Sequence, residues 1–502
     1  MQIPEILSSI SKELKKRGAR AIVVGGSVRD HFLRIPIKDY DVEVYGLSSV
    51  SELENILSAF GSVNLVGRSF GVLKFVYEGE EYDFSFPRIE EKTGKGHRGF
   101  SVVTDGKMDF EEAARRRDFT MNAMGYDIEE GTFLDPFSGR KDMELGQLRH
   151  IDDSSFVEDP LRVYRAVQFA ARFGYRLAEE TEKLCRGMVE SGMLEELPKE
   201  RVYMEMKKLL LKAERPSVGF ELMRRLGITE RYFPELHALT GVPQDPAVHP
   251  EGDVWVHTML ALDCMSRELK MEDGRWKMED EKKRLKLLFA VLCHDFGKPS
   301  TTTIEMENGK TFSWQEYRQS RSVSKETHTN IFHLPSSILH LNRIRAIGHE
   351  KAGLEPARTF MYRLTDEHDF IESILPLVEH HLKPVQFFRQ GAKAGAVRRL
   401  SSKVNIKELV LVARADFLGR TTEEAQKGVF EAGEWLLEKA RALKVENGPP
   451  DSLVLGRDLV AMGMEPSPEF RTILDEVYEL QLEGVLKSRE EALAYIRKHY
   501  IK

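Results

Sequence analysis

Apolar residues recur at Ile6, Leu7, Ile10 and Leu14, which is helical spacing over residues 4–18. Ala21–Val24 is instead continuously apolar and ends in Gly25-Gly26, so a strand runs into a tight turn. Ser27 is then expected to cap a short helix through Leu33. Tyr40–Tyr45 alternates with the period of two that marks a strand, Val50–Phe60 reads as a helix, and strands follow near Val63–Val66, Gly71–Tyr77 and Tyr82–Phe86. From Arg88 to Met108 the pattern breaks into glycines and both charge signs, which predicts a mobile loop. Asp135-Pro-Phe-Ser-Gly139 closes this first region as a turn. Beyond it the spacing is helical, punctuated by Pro198, Pro216 and Pro234, with a charged, solvated insert at Glu268–Lys286 and last helical stretches at Leu453–Gly463 and Phe470–Leu486. The pattern predicts an α+β chain: an α/β head with a mixed sheet (1–150), a helical neck and body (151–242), a second helical domain (243–425) and a C-terminal helical segment (426–502).

At 502 residues with 41% hydrophobic and 31% charged residues, the chain has room for several cores, and no apolar run approaches the roughly 20 residues of a membrane span. The N-terminus carries no basic-then-apolar leader pattern. Three widely spaced cysteines, Cys185, Cys264 and Cys293, suit a reducing cytoplasm and lack zinc spacing. The net charge of −7 excludes broad electrostatic adhesion to nucleic acid but leaves a local RNA-binding face open. Residues 199–225 hold eight Lys or Arg against four Glu, including Lys207, Lys208 and Lys212. Such a run is either a solvated helix face or a surface that tracks phosphates.

The head carries the most specific chemistry. Asp39 and Asp41 lie two apart at the start of a strand, so both carboxylates project from one face beside the Gly25-Gly26 turn. Two such carboxylates suit two Mg²⁺ ions, which activate a hydroxyl and neutralise a transferring phosphate. Asp83, on a later strand, is either a further carboxylate of this set or a structural residue. Gly-Gly-Ser-Val-Arg-Asp (25–30) with Lys-Asp-Tyr-Asp (38–41) resembles the signature of the nucleotidyltransferase superfamily, in its class II tRNA-nucleotidyltransferase and bacterial poly(A) polymerase branch. The resemblance implies that Gly25, Gly26 and Arg29 meet the nucleotide. Arg115-Arg-Arg-Asp-Phe-Thr-Met-Asn-Ala123 is similar to a further element of that family, which implies Arg116 on the nucleotide and Asp118 near the ribose. The family also uses a flexible loop in the position of Thr93–Gly99 to switch between nucleotides.

In the neck, Asp159 precedes Pro160 and suits a helix N-cap, while Arg162 and Arg165 share a face of the helix that follows. The stretch resembles the family's Glu-Asp-x-x-Arg motif, which implies that Asp159 and Arg162 offer a planar set of donors and acceptors to an incoming cytosine or adenine, with Arg165 beside them. Where some members carry another arginine, this chain has Gln168.

Beyond residue 243, His257, His294-Asp295 and Asp416 come from distant stretches in the order His…His-Asp…Asp. This series resembles the HD phosphohydrolase superfamily, and those four residues match its metal ligands. His349 and one of His380 or His381 extend the set toward a second metal or a phosphate. Imidazole with carboxylate suits Mn²⁺, Ni²⁺, Co²⁺ or Mg²⁺, with or without hydrolytic turnover. Together the resemblances imply addition of CCA to tRNA 3′ ends from CTP and ATP, with metal-dependent hydrolysis in the second domain. The rival readings are a CC-adding, A-adding or poly(A)-adding enzyme, a phosphohydrolase with an inactive head, and a non-catalytic RNA-binding protein.

Overall fold

The short apolar runs of the head pair into one sheet. A computed structural model of the chain describes residues 1–64, 72–92, 100–104, 108–271, 278–306, 309–321 and 341–501. The head strands are β1 (Arg20–Val24), β2 (Tyr40–Tyr45), β3 (Ser62–Asn64), β4 (Val72–Tyr77), β5 (Glu80–Ser85), β6 (Arg88–Lys92), β7 (Phe100–Thr104), β8 (Gly125–Asp127) and β9 (Thr132–Leu134). Seven of them form a sheet of order β3-β4-β5-β2-β1-β8-β9. Only β2 and β5 run parallel, so the sheet is mixed, as the pattern predicts.

Val42, Val44, Phe75 and Phe84 are buried, as are Leu7, Ile10 and Leu14 of the helix Glu5–Lys15 and Leu53, Ile56 and Leu57 of the helix Val50–Ser58. Each such side chain contributes roughly 1.5–3 kcal/mol. Asp41, Glu43 and Asp83 lie on the alternate positions of β2 and β5, so the same period that buries the valines brings carboxylates to the other face. β4 and β5 are joined by Glu78 and Gly79, with φ of +50° and +86°. Two central residues with positive φ make the turn that matches the twist of a tight hairpin.

Two local expectations are corrected. The stretch from Arg88 to Met108 is not a loop throughout, because β6 pairs antiparallel with β7 from Arg88↔Thr104 to Lys92↔Phe100. Backbone pairing makes these strands although β6 has a single apolar residue, Ile89, and so gives periodicity nothing to detect. The glycine-rich span Thr93–Gly99 lies outside the described residues, as do 65–66 of the expected strand Val63–Val66. Second, Gly25 rather than Ser27 occupies the cap position of the helix Gly26–Phe32. The Ser27 hydroxyl donates to the Asp39 carbonyl at 3.0 Å and so anchors the start of β2.

By internal contacts the chain forms two compact units, one comprising Met1–Ala213 with Val218–Ile228 and the other Glu214–Ser217 with Thr229–Lys502. In the first unit, the neck helix Leu161–Phe173 buries Val163, Val167, Ala170 and Ala171, packs against the helix Lys199–Lys212 and ends at Gly174 in the left-handed conformation.

The second unit is built from the helices Val254–Met271, Met278–Cys293, Leu354–Leu364, His368–His380, Ile406–Leu418 and Glu431–Ala442. Much of the charged insert Glu268–Lys286 is therefore helical, with 272–277 outside the described residues. The unit also departs from an all-helical expectation, because Thr302–Met306, Thr311–Ser313 and Leu341–Ala346 form an antiparallel sheet. The β-branched run Thr301–Ile304 favours that state locally. The C-terminal helices Gly456–Ala461, Glu469–Glu483 and Arg489–Tyr500 close around Leu459, Ile473, Val477, Ala492 and Ile496. Among the described residues no helix is long and apolar enough to cross a membrane.

Candidate active sites

Gly25 turns the chain off β1 with φ +69° and ψ −124°. A Cβ there would lie 2.9 Å from Arg117 Nη1 and 4.0 Å from Asp41 Oδ2, so only glycine lets the turn approach this side chain and the carboxylate. Arg117 places Nη2 2.6 Å from Glu43 Oε1 and donates from Nη1 to the Asn122 carbonyl at 3.3 Å. Tyr45 donates to the other Glu43 oxygen at 2.7 Å. Burial alone would lower the Arg117 guanidinium, but Glu43 prevails and raises it.

Asp41 faces Asp83 directly across the parallel β2–β5 pairing. Burial pushes the Asp41 carboxyl above its ordinary range, and Asp83, Asp39 and Glu43 push it further against the pull of Arg117. The head carboxylates are not drawn together as a three-ligand group in this structure: among the described residues such groups occur only in the second unit.

The other head candidates are more constrained. Arg29 is buried, with Nε and Nη2 donating to Asp30 and Nη1 to Asn122 Oδ1 at 2.7 Å. Its guanidinium also lies over the rings of Phe169 and Phe173. Asp118 accepts from its neighbour's backbone N–H (Phe119), from Asn122 Nδ2 at 2.9 Å and from Arg165 Nε at 2.7 Å. Burial would raise this carboxyl, but Arg165, Asn122 and Arg162 hold it below its usual range.

In the neck, Pro160 rather than Asp159 occupies the cap position of the helix Leu161–Phe173, and Asp159 Oδ1 accepts from the Leu161 N–H at 3.2 Å. Its charged partner is Arg201 of the neighbouring helix, at 3.0 Å, rather than Arg162. Arg162 donates from both Nη atoms to the carbonyls of Ser155 and Arg116, at 2.8 and 2.6 Å, and so fixes the backbone beside half-buried Arg116. Gln168 is buried, and its Nε2 has no hydrogen-bond partner among the described residues.

The second unit gathers the dispersed histidines and aspartates. His257 Nε2 lies 3.1 Å from Asp416 Oδ1, His294 Nε2 3.2 Å from Asp295 Oδ2, and His349 Nε2 3.4 Å from Asp295 Oδ1. His381, not His380, completes the group, with its Nε2 3.3 Å from that of His349. His294, His349 and His381 each direct Nδ1 at the backbone carbonyl three residues earlier, at 2.6, 2.6 and 2.7 Å. A carbonyl only accepts, so these Nδ1 atoms each carry a proton, which leaves the Nε2 atoms to face the cluster.

Among the described residues, neither Asp295 oxygen, nor His294 Nε2, has a hydrogen-bond partner of adequate geometry, although Lys298 Nζ lies 2.7 Å from Asp295 Oδ2. Burial would raise the Asp295 carboxyl, yet His294 and Lys298 hold it well below its ordinary range. Burial, with His294 and His349 beside it, pushes His381 down to about 3, so its imidazole is neutral. Buried ligand-type atoms left unpaired among the described residues, with the neutral imidazole of His381 beside them, fit a divalent metal, and Asp295 belongs to two of the possible ligand groups. A cleft of about 230 Å³ opens onto Asp295, His349, His381, Asp416 and His249.

Sequence reasoning missed several contributors. Glu251 Oε1 accepts from the Nδ1 atoms of both His249 and His257 at 2.8 Å, and Arg420 lies 3.2 Å from Asp416. Lys298 was signalled by its spacing three residues after Asp295, and Arg117 by its place in the triple arginine; Glu251 and Arg201 carry no local spacing signal.

A family profile described as the poly A polymerase head domain matches residues 21–149, and one described as the probable RNA and SrmB-binding site of polymerase A matches residues 174–240. The multifunctional CCA protein of Laribacter hongkongensis is 34% identical over 413 residues, covering 81% of this chain and 86% of the relative. That of Pseudoalteromonas atlantica is 32% identical over 409 residues, covering 80% and 85%. Among solved structures, the Bacillus stearothermophilus CCA-adding enzyme in complex with CTP matches with a TM-score of 0.60 at 20% identity, over 99% of this chain and 98% of that one. The Thermotoga maritima CCA-adding enzyme complexed with tRNA matches with a TM-score of 0.56 at 18% identity, over 99% and 96%, and like the first it speaks to the fold. A poly(A) polymerase-type head that crowds carboxylates beside a glycine turn defines a nucleotidyltransferase, a class that depends on divalent metal. The chain belongs to the multifunctional CCA protein family.

Proposed function

We propose that this chain adds C, C and A to tRNA 3′ ends from CTP and ATP by nucleotidyl transfer in its first unit, and that its second unit is a metal-dependent phosphohydrolase. The observation that supports the first reading is Asp41, opposite Asp83 across β2 and β5, lying against the Gly25 turn in a chain with this family membership. Mg²⁺ held by these carboxylates would supply charge neutralisation at the transferring phosphate. Gly25 lets Arg117 and Asp41 close on the turn, Ser27 holds Asp39 in place, and Arg117 limits the repulsion within the acidic set. The RNA 3′-OH attacks the α-phosphate in line and pyrophosphate leaves.

Asp159, with Arg162 and Arg201 beside it, reads the base, because leaving an edge unpaired costs about 1–3 kcal/mol per group. Arg116, Asp118 and Arg165 bound the nucleotide from the head side, with Arg29 supporting them from the interior. Lys207, Lys208 and Lys212 are the candidates for RNA contact. The domain reading remains a head (1–150), neck and body (151–242), HD domain (243–425) and C-terminal segment (426–502). Three buried free cysteines accord with a cytoplasmic location.

The decisive experiment incubates tRNA lacking CCA with CTP alone, ATP alone and both. The expected products are two added C, none, and CCA. Addition of C or A only, or of long A tails, would support the partial-enzyme or poly(A) polymerase reading.

The second reading rests on the unpaired Asp295 oxygens gathered with His257, His294, His349 and His381. A 2′,3′-cyclic or terminal phosphate that blocks a tRNA 3′-OH is the substrate that would make the two units serve one pathway. Hydrolysis of 2′,3′-cyclic AMP and p-nitrophenyl phosphate across a divalent series tests it. Asp295→Ala should lose that activity and keep CCA addition, whereas absence of hydrolysis with every metal would leave a structural metal site.

A further inference from the structure

The second unit sets a cation against its histidine–aspartate cluster that the reading above leaves without a role. Arg420 lies just past the helix Ile406–Leu418, four residues after Asp416. Its Nη2 is 3.2 and 3.4 Å from the two Asp416 oxygens. Its Nε is buried with no hydrogen-bond partner among the described residues, although the side chain as a whole stays 19% exposed. Arginine carries five N–H donors in one rigid plane, so a guanidinium pinned through one nitrogen keeps the rest of its fork for another acceptor. A buried donor that the protein does not satisfy marks the place of a group that comes from outside.

The backbone on both sides of Arg420 is held. A Cβ at Gly419 would lie 2.8 Å from the backbone N and Cα of Ala261, so the chain here is pressed onto the helix Val254–Met271. The Thr421 N–H donates to Glu251 Oε2 at 3.2 Å, while Oε1 of the same carboxylate accepts from His249 and His257. Glu251 thus ties the backbone beside Arg420 to an imidazole of the cluster and fixes the arginine relative to it.

The cleft of about 230 Å³ supplies the shape of a ligand. Arg420, Lys298 and Arg345 line it together with the cluster, and Pro243, Val248 and Ile344 add apolar surface. Lys298 is already engaged, with Nζ 2.7 Å from Asp295 Oδ2 and 2.6 Å from Gln244 Oε1. Asp295 and Asp416 are therefore each matched by a cation of the protein. A divalent ion taken up there adds positive charge that an anionic ligand has to offset. The volume is below the roughly 300 Å³ at which sites for larger small molecules begin, so it suits a phosphate with its sugar rather than a longer piece of chain.

We propose that Arg420 binds a non-bridging oxygen of the substrate phosphate in this cleft, and that the site selects the phosphate end of a nucleotide with its sugar against Val248 and Ile344. The inference rests on the phosphohydrolase reading and adds to it a specificity-determining residue that is not a metal ligand.

The test compares the full chain with its Arg420→Gln and Arg420→Lys variants. Inorganic phosphate is titrated calorimetrically into each Mn²⁺-loaded protein, Mn²⁺ affinity is measured separately, and hydrolysis of 2′,3′-cyclic AMP is followed at steady state. In Arg420→Gln, the Kd for phosphate and the KM for 2′,3′-cyclic AMP should both rise about tenfold, as expected for one lost charge-assisted hydrogen bond. Arg420→Lys should recover part of the loss, and Mn²⁺ affinity should stay at the wild-type level in both variants. An unchanged phosphate Kd in Arg420→Gln would overturn the proposal. So would weaker phosphate binding that only follows weaker Mn²⁺ binding, because Arg420 would then merely support Asp416. Phosphate binding that depends on Arg420 in a wild-type chain that hydrolyses nothing would bring down the phosphohydrolase reading and leave the phosphate-binding role of Arg420 standing.

Discussion

Replacing Gly25 with alanine would test how closely the turn, the arginine and the carboxylates depend on one another. At φ +69° a side chain strains the backbone by about 1–3 kcal/mol. The new Cβ would also meet Arg117 Nη1 at 2.9 Å. A flexible side chain would ordinarily swing aside, but Arg117 is held by Glu43 and the Asn122 carbonyl. Losing a hydrogen bond to a charged group adds about 1.5–3 kcal/mol. Gly18 also has positive φ, +76°, but nothing within 4 Å of a Cβ, so Gly18→Ala carries strain without the collision. Calorimetry should therefore show the Gly25→Ala transition below that of Gly18→Ala by roughly 3–12 °C, at about 2–4 °C per kcal/mol. Nucleotide addition should fall in Gly25→Ala and persist in Gly18→Ala. Equal melting temperatures and equal addition rates in the two variants would refute the reasoning.

Asp41→Asn should abolish nucleotide addition, and in chelator it should melt above wild type at neutral pH. Asp41 has a raised carboxyl in the folded state, so its stabilising contribution is present below the unfolded carboxyl range and is lost as pH rises through the folded one; the gap should therefore close near pH 4. Asp159→Ala should cost about 1 kcal/mol through the lost hydrogen bond from Leu161 and let UTP or GTP compete with CTP, measured by misincorporation into tRNA. Unchanged base preference would make Asp159 purely structural. Glu251→Gln should weaken metal retention in the second unit by about 10–100-fold, measured by metal titration, and leave CCA addition intact.

What was legible in the chain was whatever short-range periodicity or chemistry records. Two-residue spacing put Asp41 opposite Val42 and Val44 on β2, which begins after Asp39, and it left Asp83 undecided because only the parallel register sets Asp83 beside Asp41. Histidines and aspartates from stretches up to 159 residues apart were grouped by residue type alone, and His257 indeed meets Asp416. The choice between His380 and His381 depends on how the helix His368–His380 ends, which spacing does not express. Ser27 suited a cap by residue type, yet the backbone angle that glycine alone favours put Gly25 there. The β6–β7 hairpin was missed because its hydrogen bonds belong to the backbone, and Arg201 because a helix distant in sequence supplies the partner of Asp159.

The two-residue turn at Glu78-Gly79 has a consequence for how this head tolerates change. It sets the register of β4 against β5 and hence which side of β5 shows Asp83. One residue inserted there, if absorbed by a slip of the strand, would exchange Asp83 with Phe84, moving a carboxylate into the interior and a ring onto the ion-binding side. Changes of length elsewhere between β2 and β4 leave this alternation untouched. In a library of random single-codon insertions, survivors should thus be depleted at positions 78–79 and accumulate in the connections around Gly46 and Ala59, even though all these sites lie at the ends of regular elements.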